Sequence, residues 1–80
     1  MKIITREDCE YLKAKFNAYT ENAEQHEFVR LITVDMMLEE TWKDLDYQLK
    51  NNQEDLRAMF RVILSLIGET ETAKEYIEEE

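Results

Sequence analysis

The chain contains no proline and a single glycine, Gly68. Proline and glycine are the residues that most often interrupt a helix, so almost nothing in this sequence does. Apolar residues recur mainly at spacings of three and four, and the one strand-like run, residues 28–34, has no second run to pair with. We therefore predict a single all-α domain over residues 1–80: a small antiparallel bundle of four helices, or five if the second breaks.

The start of the first helix is marked by Thr5 and Asp8, which have the spacing of a capping box. Ile4 and Cys9 are placed to form a hydrophobic staple across this cap. The apolar stripe of the helix consists of Cys9, Leu12, Phe16 and Tyr19.

The second helix is predicted to be long, over residues 23–50, with Asn22 and Gln25 as its cap. Its broad apolar face contains Phe28, Leu31, Ile32, Leu38, Trp42, Leu45 and Leu49. A helix of this length without internal caps is unusual, and a β-branched run weakens it, so we expect a kink near Thr33. If Thr33 caps a second segment, Asp35 falls in its first turn, which explains an acid inside the apolar face and is the interpretation we favour. The alternatives are that Asp35 projects into an interface or pairs across the core with an arginine: Arg30, Arg57 or Arg61.

The third helix has the clearest pattern, with Asn52 and Asp55 as its cap signal and Gly68 just past its end. Its stripe is Leu56, Met59, Phe60, Ile63, Leu66 and Ile67, while Glu54, Arg57, Arg61 and Ser65 lie outside it. We expect the second and third helices to be central.

A short last helix is predicted to begin at the capping pair Thr72 and Glu75. It has three residues to pack with: Ala73, Tyr76 and Ile77. The acids at 78–80 oppose the helix dipole, so we expect a frayed acidic C-terminus.

The formal net charge is −9, and the excess is confined to two stretches. Residues 22–50 have seven acids and three bases, and residues 68–80 have six acids and one base. Such a balance disfavours direct binding to nucleic acid or to an anionic membrane and favours a basic protein partner. We name as the acidic face the candidate partner-binding residues Glu24, Glu27, Glu39, Glu40, Asp44 and Asp46. The alternative is a solvated face that only keeps the chain dispersed.

A second candidate surface is an apolar seam off the main stripe of the second helix. Its residues are Val29, Met36, Met37 and Tyr47. Methionine adapts to many surfaces, so the seam indicates a homodimer contact or a docking site, unless the first and last helices cover it.

The sequence offers no set of residues suited to catalysis, metal binding or cofactor binding. Its only histidine, His26, lacks the glutamate one turn away that di-metal bundles use. Cys9 would need a positioned base to act as a nucleophile, and we expect burial instead, with Asp8 and Glu10 disfavouring the thiolate. Paired carboxylates are common here because the chain is acidic, and a domain of this size rarely holds a substrate cavity. We predict a protein that is not an enzyme and takes no metal or cofactor.

The N-terminus lacks the pattern of a secretory signal, no apolar stretch is long enough to span a membrane, and a lone thiol suits a reducing compartment. We therefore expect a cytoplasmic protein. The expected function is that of a small acidic inhibitor or regulator that docks on a basic protein. It is of the type encoded by phages and mobile elements, and if the partner binds nucleic acid, the chain acts as a nucleic-acid mimic. The alternative is a helical homo-oligomer or assembly adaptor that uses the apolar seam.

Overall fold

The chain folds as an all-α protein, as predicted. The computed structural model describes residues 2–24 and 27–76. In these residues there is no strand, and the helices are α1 (Arg6–Glu21), α2 (Phe28–Lys43), α3 (Leu45–Asn51), α4 (Gln53–Leu66) and α5 (Thr70–Ala73), followed by a 3-10 turn, Lys74–Tyr76. Five helices within this part of the chain correspond to the five-helix alternative. The predictions that concern Gln25, His26, Ile77 and residues 78–80 lie outside the described residues.

The predicted start of α1 is confirmed. The Asp8 backbone N–H donates to Thr5 Oγ1 at 3.3 Å, and the Thr5 N–H donates to Asp8 Oδ2 at 2.9 Å, which completes the capping box. Ile4 and Cys9 are both buried, as a staple requires. The cap therefore also anchors the start of the chain in the core.

Asn22 ends α1, so its prediction as the cap of the next helix is wrong. Its side-chain amide donates to the Ala18 carbonyl at 3.0 Å. An asparagine amide can serve the free carbonyls of a helix end, whereas the same side chain's oxygen would serve free N–H groups. The helix that follows begins at Phe28, after Glu27 in the N-cap position without a side-chain cap hydrogen bond.

The predicted long helix does break, but at Asp44 and not at Thr33. The Thr33 hydroxyl donates to the Val29 carbonyl at 3.1 Å, one turn back, which keeps Thr33 inside α2. Asp44 has a non-helical backbone, with φ −134° and ψ 45°, and separates α2 from α3. The break places Leu45 in the core, so the packing of α3 and not the β-branched run decides where the helix ends.

Helix α4 is the centre of the core, and its predicted stripe is confirmed. Fifteen apolar side chains are buried among the described residues: Ile4, Cys9, Leu12, Phe16, Leu31, Val34, Leu38, Leu45, Leu56, Phe60, Ile63, Leu64, Ile67, Ala73 and Tyr76. The Phe60 and Tyr76 rings pack at a centroid distance of 5.0 Å. The closing 3-10 turn is therefore fixed to the middle of α4.

The end of α4 is the predicted glycine terminus. Gly68 has φ +85°, its N–H donates to the Ser65 carbonyl at 3.2 Å, and the Glu69 N–H donates to the Leu64 carbonyl at 2.8 Å. These two bonds form a Schellman motif, in which a glycine takes the left-handed conformation. The motif turns the chain towards α5.

Two predictions about α4 and α5 are wrong. Arg57, expected outside the stripe, is 5% exposed, and its Nη1 donates to the Lys2 carbonyl at 3.4 Å. An arginine can bury its aliphatic stem while its guanidinium finds backbone oxygens. Thr72 and Glu75 do not cap the last helix, because Thr72 lies inside α5, which begins at Thr70, and Glu75 lies inside the 3-10 turn that follows.

A contact that the sequence did not reveal fastens the N-terminal segment to α4. The Ile4 N–H donates to Gln53 Oε1 at 2.8 Å, and Gln53 Nε2 donates to the Ile4 carbonyl at 2.9 Å and to the Leu49 carbonyl at 2.8 Å. Gln53 thus satisfies both backbone groups of Ile4. We call this pair of contacts with Ile4 the N-terminal clip.

Candidate functional site

The acidic face is spread over the two helices α2 and α3 and the segment before α2. Glu24 and Glu27 precede α2, Glu39 and Glu40 lie in its second half, Asp44 is the junction and Asp46 is in α3. All are exposed except Glu27, which is half-buried. The structure therefore brings only part of the predicted set together on one helix.

Several of these carboxylates already have partners within the protein. The Tyr19 hydroxyl donates to Glu27 Oε1 at 2.9 Å, and this bond raises the pKa of Tyr19. Lys43 Nζ lies 2.8 Å from Glu40 Oε1, a hydrogen bond that raises the pKa of Lys43. Asp44 accepts from Gln48 Nε2 at 3.3 Å, and Asp46 is paired with Arg6. The exposed ion pairs of Glu40 and Asp46 add little to stability, so a basic group of a partner can replace the internal lysine or arginine at small cost.

The apolar seam is exposed, but it does not form one surface on one helix. Val29 is 80% exposed, Met36 61% and Met37 43%, all on α2, whereas Tyr47 is on α3. Helix α2 also exposes Phe28 and Ile32, which the sequence placed on the buried face. The prediction that α2 is a central helix is therefore wrong: its inner edge packs in the core and the rest faces solvent.

Between α1 and α2 lies a groove that the sequence did not predict. We call it the α1–α2 groove. Its larger pocket, about 380 Å³, has Leu38 and Trp42 as apolar lining, with Asn17, Lys13, Asp35, Glu39 and Lys43 around them. Its smaller pocket, about 270 Å³, is lined by Phe16, Thr20, Phe28, Leu31, Ile32 and Asp35. Both volumes lie near the lower end of ligand sites, ~300–1,000 Å³, which suits side chains more than a large substrate.

Asp35 is common to both pockets, so it stands at the middle of the groove. It is an exposed residue inside α2, and the prediction that it caps a broken helix is wrong. Within residues 2–24 and 27–76 no hydrogen bond or ion pair engages its carboxylate, or that of Glu39 one turn further along α2. These two carboxylates are open acceptors beside apolar surface.

Trp42 forms the other end of the groove. It is half-buried, and Lys13 Nζ lies 5.4 Å from the centre of its ring. A cation over an indole face is attracted by the ring's electron density, which holds Lys13 of α1 against α2. One face of the indole is therefore occupied by Lys13, while Trp42 also lines the larger pocket.

The predicted burial of Cys9 is confirmed, since its side chain is fully enclosed. Burial, with help from Asp8, raises the pKa of the thiol to about 11, so the nucleophilic thiolate is scarce near neutral pH. Among the described residues, no three histidine, cysteine or acidic side chains are grouped closely enough to hold a metal ion. The Cys9 thiol is therefore not available to the groove as a nucleophile.

The described helices include none whose length and hydropathy suit a membrane crossing. No family model, curated protein or solved structure shows significant similarity to the chain. The functional argument must therefore come from the surface itself.

Sequence reasoning missed the α1–α2 groove, and for Asp35 it favoured a helix cap over an interface. One signal was available: Asp35 and Glu39 are four residues apart and so share a face of a helix. Phe28 and Ile32 are also four residues apart, and they follow the same side of α2. An alternation of acids and large apolar residues along one side is unusual for a buried face and could have indicated an exposed one.

Proposed function

We propose that the chain is a small acidic protein-binding module that docks on a basic protein through the outer side of α2. The observation that supports this function is the concentration of large exposed apolar side chains on that helix. They are Phe28, Val29, Ile32, Met36 and Met37, with exposures from 43% to 80%. Single exposed apolar residues need no explanation, whereas a row of them on one helix is typical of an interaction surface.

Carboxylates lie among these apolar side chains, and their charge determines the class of partner. Asp35, Glu39 and Glu40 are exposed on the same helix, in a chain whose net charge is −9. Burial of the apolar groups supplies affinity, and the negative field attracts and selects basic surfaces. A partner with a basic, partly apolar patch satisfies both requirements.

The most specific form of this function is an inhibitor that covers the nucleic-acid site of its partner. Proteins bind nucleic acid through lysine and arginine side chains that contact phosphates, so an acidic helix can occupy the same positions. A reducing, cytoplasmic setting is consistent with the unpaired and buried Cys9. An acidic inhibitor or regulator of the kind made by phages and mobile elements is the class that fits this proposal.

The test reverses the charges on and beside α2. In a variant carrying Glu39→Lys, Glu40→Lys and Asp44→Lys, capture of a basic partner from an extract of the native host should be lost. A matched variant, Glu10→Lys, Glu21→Lys and Glu54→Lys, changes the net charge equally at exposed positions outside the acidic face. It should retain the partner.

Ionic strength gives an independent measurement of the same interface. Retention of the partner by the wild-type chain should fall steeply between low and high salt, because accessible charges are screened over about 8–10 Å at physiological ionic strength. If both triple variants and the wild-type chain retain the same proteins at every salt concentration, the acidic docking surface is disproved.

A homo-oligomer is the second candidate, and the exposure of Val29 and Met36 favours it. An apolar row of this kind can be covered by a second copy, and such a contact would respond little to salt. Light scattering at high micromolar concentration distinguishes the two functions. A salt-independent dimer supports the homo-oligomer, and a monomer excludes it.

A further inference from the structure

The α1–α2 groove has the length of about four helical turns, and its two pockets have room for side chains. It extends along α2 from Phe28 to Trp42, which is about 21 Å at the helical rise of 1.5 Å per residue. Lys13 of α1 lies beside Trp42 and Thr20 of α1 lines the pocket at Phe28, so the two helices run in opposite directions along the groove. A helix laid along it would contact both walls over about four turns.

The groove places an acidic residue between two apolar pockets. Asp35 is at the centre, Glu39 is one helical turn away from it, and apolar pockets lie on both sides of Asp35. An amphipathic helix that binds in a groove presents apolar anchors at spacings of three, four and seven residues, with polar residues between them. A basic residue between two such anchors would face Asp35.

The lysines of the groove do not cancel this pattern at its centre. Lys43 is held by Glu40 at 2.8 Å, and Lys13 lies on the indole of Trp42. Both are at the Trp42 end, and among the described residues that line the smaller pocket Asp35 is the only charged one. The centre of the groove is therefore acidic and complementary to a cation.

A second copy of the chain is a poor occupant of the same groove. Two copies that meet along α2 bring Asp35, Glu39 and Glu40 of each close to the same carboxylates of the other, in chains that each carry a net charge of −9. Like charges placed together across an interface oppose association, whereas a basic partner gains from them. Charge complementarity therefore selects another protein.

We propose that the α1–α2 groove binds one amphipathic helix of the basic partner, with an apolar side chain packed beside Trp42 and an arginine or lysine paired with Asp35. This inference rests on the proposed function and specifies where and by what kind of segment the partner is held. It adds Asp35 and Trp42, which are outside the acidic face, to the interface.

The test uses synthetic peptides about 14 residues long, matched to the ~21 Å length of the groove. They contain leucines at helical spacing and no tryptophan, and they differ in the register of arginine relative to leucine. A control series replaces each arginine with glutamate. Trp42 is the only tryptophan in the chain, so its fluorescence reports occupancy of the groove directly. An arginine peptide of the correct register should shift this emission, and the glutamate peptides should not.

The variant Asp35→Asn keeps an acceptor oxygen but loses the charge, so it should raise the Kd of that peptide about two- to fivefold, the upper range for an exposed ion pair. The matched change Asp55→Asn alters an exposed carboxylate on α4, away from the groove, and should leave the Kd unchanged. Asp35 makes no hydrogen bond or ion pair within the described residues, so Asp35→Asn should keep the wild-type circular dichroism and melting temperature. Asp55→Asn removes a charge from the first turn of α4, so it should lower the melting temperature slightly without unfolding the domain.

Three results would each overturn the inference: no Trp42 response to any arginine peptide, equal binding of the glutamate peptides, or an Asp35→Asn variant that binds as the wild type does. A Trp42 shift that depends on chain concentration alone would assign the groove to a second copy, which also contradicts it. If the partner is still lost from the acidic-face variant while the peptide test fails, the proposed function stands and only its location in the groove is wrong.

Discussion

Replacement of Gln53 by methionine should weaken the domain through the N-terminal clip. Methionine has nearly the same length and shape but cannot donate or accept these hydrogen bonds. The variant loses three bonds of 2.8–2.9 Å and leaves the N–H and the carbonyl of Ile4 without their side-chain partner. A neutral hydrogen bond contributes about 0.5–1.5 kcal/mol net, and partial exposure lets water replace some of it. We expect the free energy of unfolding to fall by about 2 kcal/mol in the Gln53→Met variant.

That loss is large enough to measure in two ways. A change of 1 kcal/mol shifts the melting temperature of a domain this size by about 4–8 °C, so the expected shift is roughly 8–16 °C. The urea midpoint, followed by circular dichroism, should fall by about 1–2 M for an m value near 1–2 kcal/mol/M. Hydrogen exchange provides the local readout, because the Ile4 amide should lose its protection even where the variant remains folded.

Gln48→Met is the matched control. Gln48 bonds with Asp44 and Asn52, both four residues away along the chain, so no distant segment is released by the change. It should cost less than half as much as Gln53→Met. A Gln53→Met variant with a stability within about 0.5 kcal/mol of the wild type, the range of ordinary surface changes, and with a protected Ile4 amide would refute the clip as a stabilising contact.

Two further predictions concern Gly68 and Cys9. Gly68→Ala should lower the free energy of unfolding in urea by about 1 kcal/mol, because a residue with a Cβ is strained at φ +85°. The strain is in the backbone, since no atom lies within 4 Å of the added Cβ. An unchanged urea midpoint would contradict the Schellman motif. Cys9 should react with a thiol reagent at pH 8 only after unfolding. The free energy of unfolding should decline as pH rises from the ordinary thiol pKa towards the folded value of about 11, because the thiol of the unfolded chain loses its proton first. Rapid labelling of the native protein would contradict its burial.

The elements with local signals were predictable from the sequence. The capping box at Thr5 and Asp8 fixes the start of α1, and Gly68 fixes the end of α4, because each depends on residues within one turn of the helix end. The stripe of α4 was predictable for a different reason. Other elements surround α4, so the apolar residues that the helical period of about 3.6 brings to one face are buried.

The features that depend on distant residues were not predictable. Asn52 illustrates the limit: it does occupy the N-cap of α4, but its amide donates to Gln48 Oε1 at 2.8 Å instead of serving the helix as a cap. Arg57 is buried, and the carbonyl of Lys2, far away in sequence, accepts a hydrogen bond from it. Sequence patterns within one helix cannot predict a hydrogen-bond partner this far away in the chain.

The groove was missed because periodicity reports which residues share a face, and not how much protein is available to cover it. Phe28 and Ile32 do lie on one side of α2, as predicted, but they are 46% and 58% exposed. Most close contacts between helices join α4 to α5, α3 or α1, or join α2 to α3. Helices α1 and α2 make few such contacts with each other. The space left between α1 and α2 is the candidate site.

The incomplete burial of α2 links the stability of the domain to its proposed function. Only Leu31, Val34 and Leu38 of this helix are buried, and a buried side chain of this kind contributes about 1.5–3 kcal/mol. The apolar groups that it leaves in solvent add nothing to the isolated domain, yet a partner that covers two of them gains a comparable free energy. Because such a partner binds only the folded chain, it also stabilises α2 against unfolding. Polar substitutions on the outer side of α2 should therefore weaken binding while leaving the free domain as stable as before, which is the opposite of their effect on its inner edge.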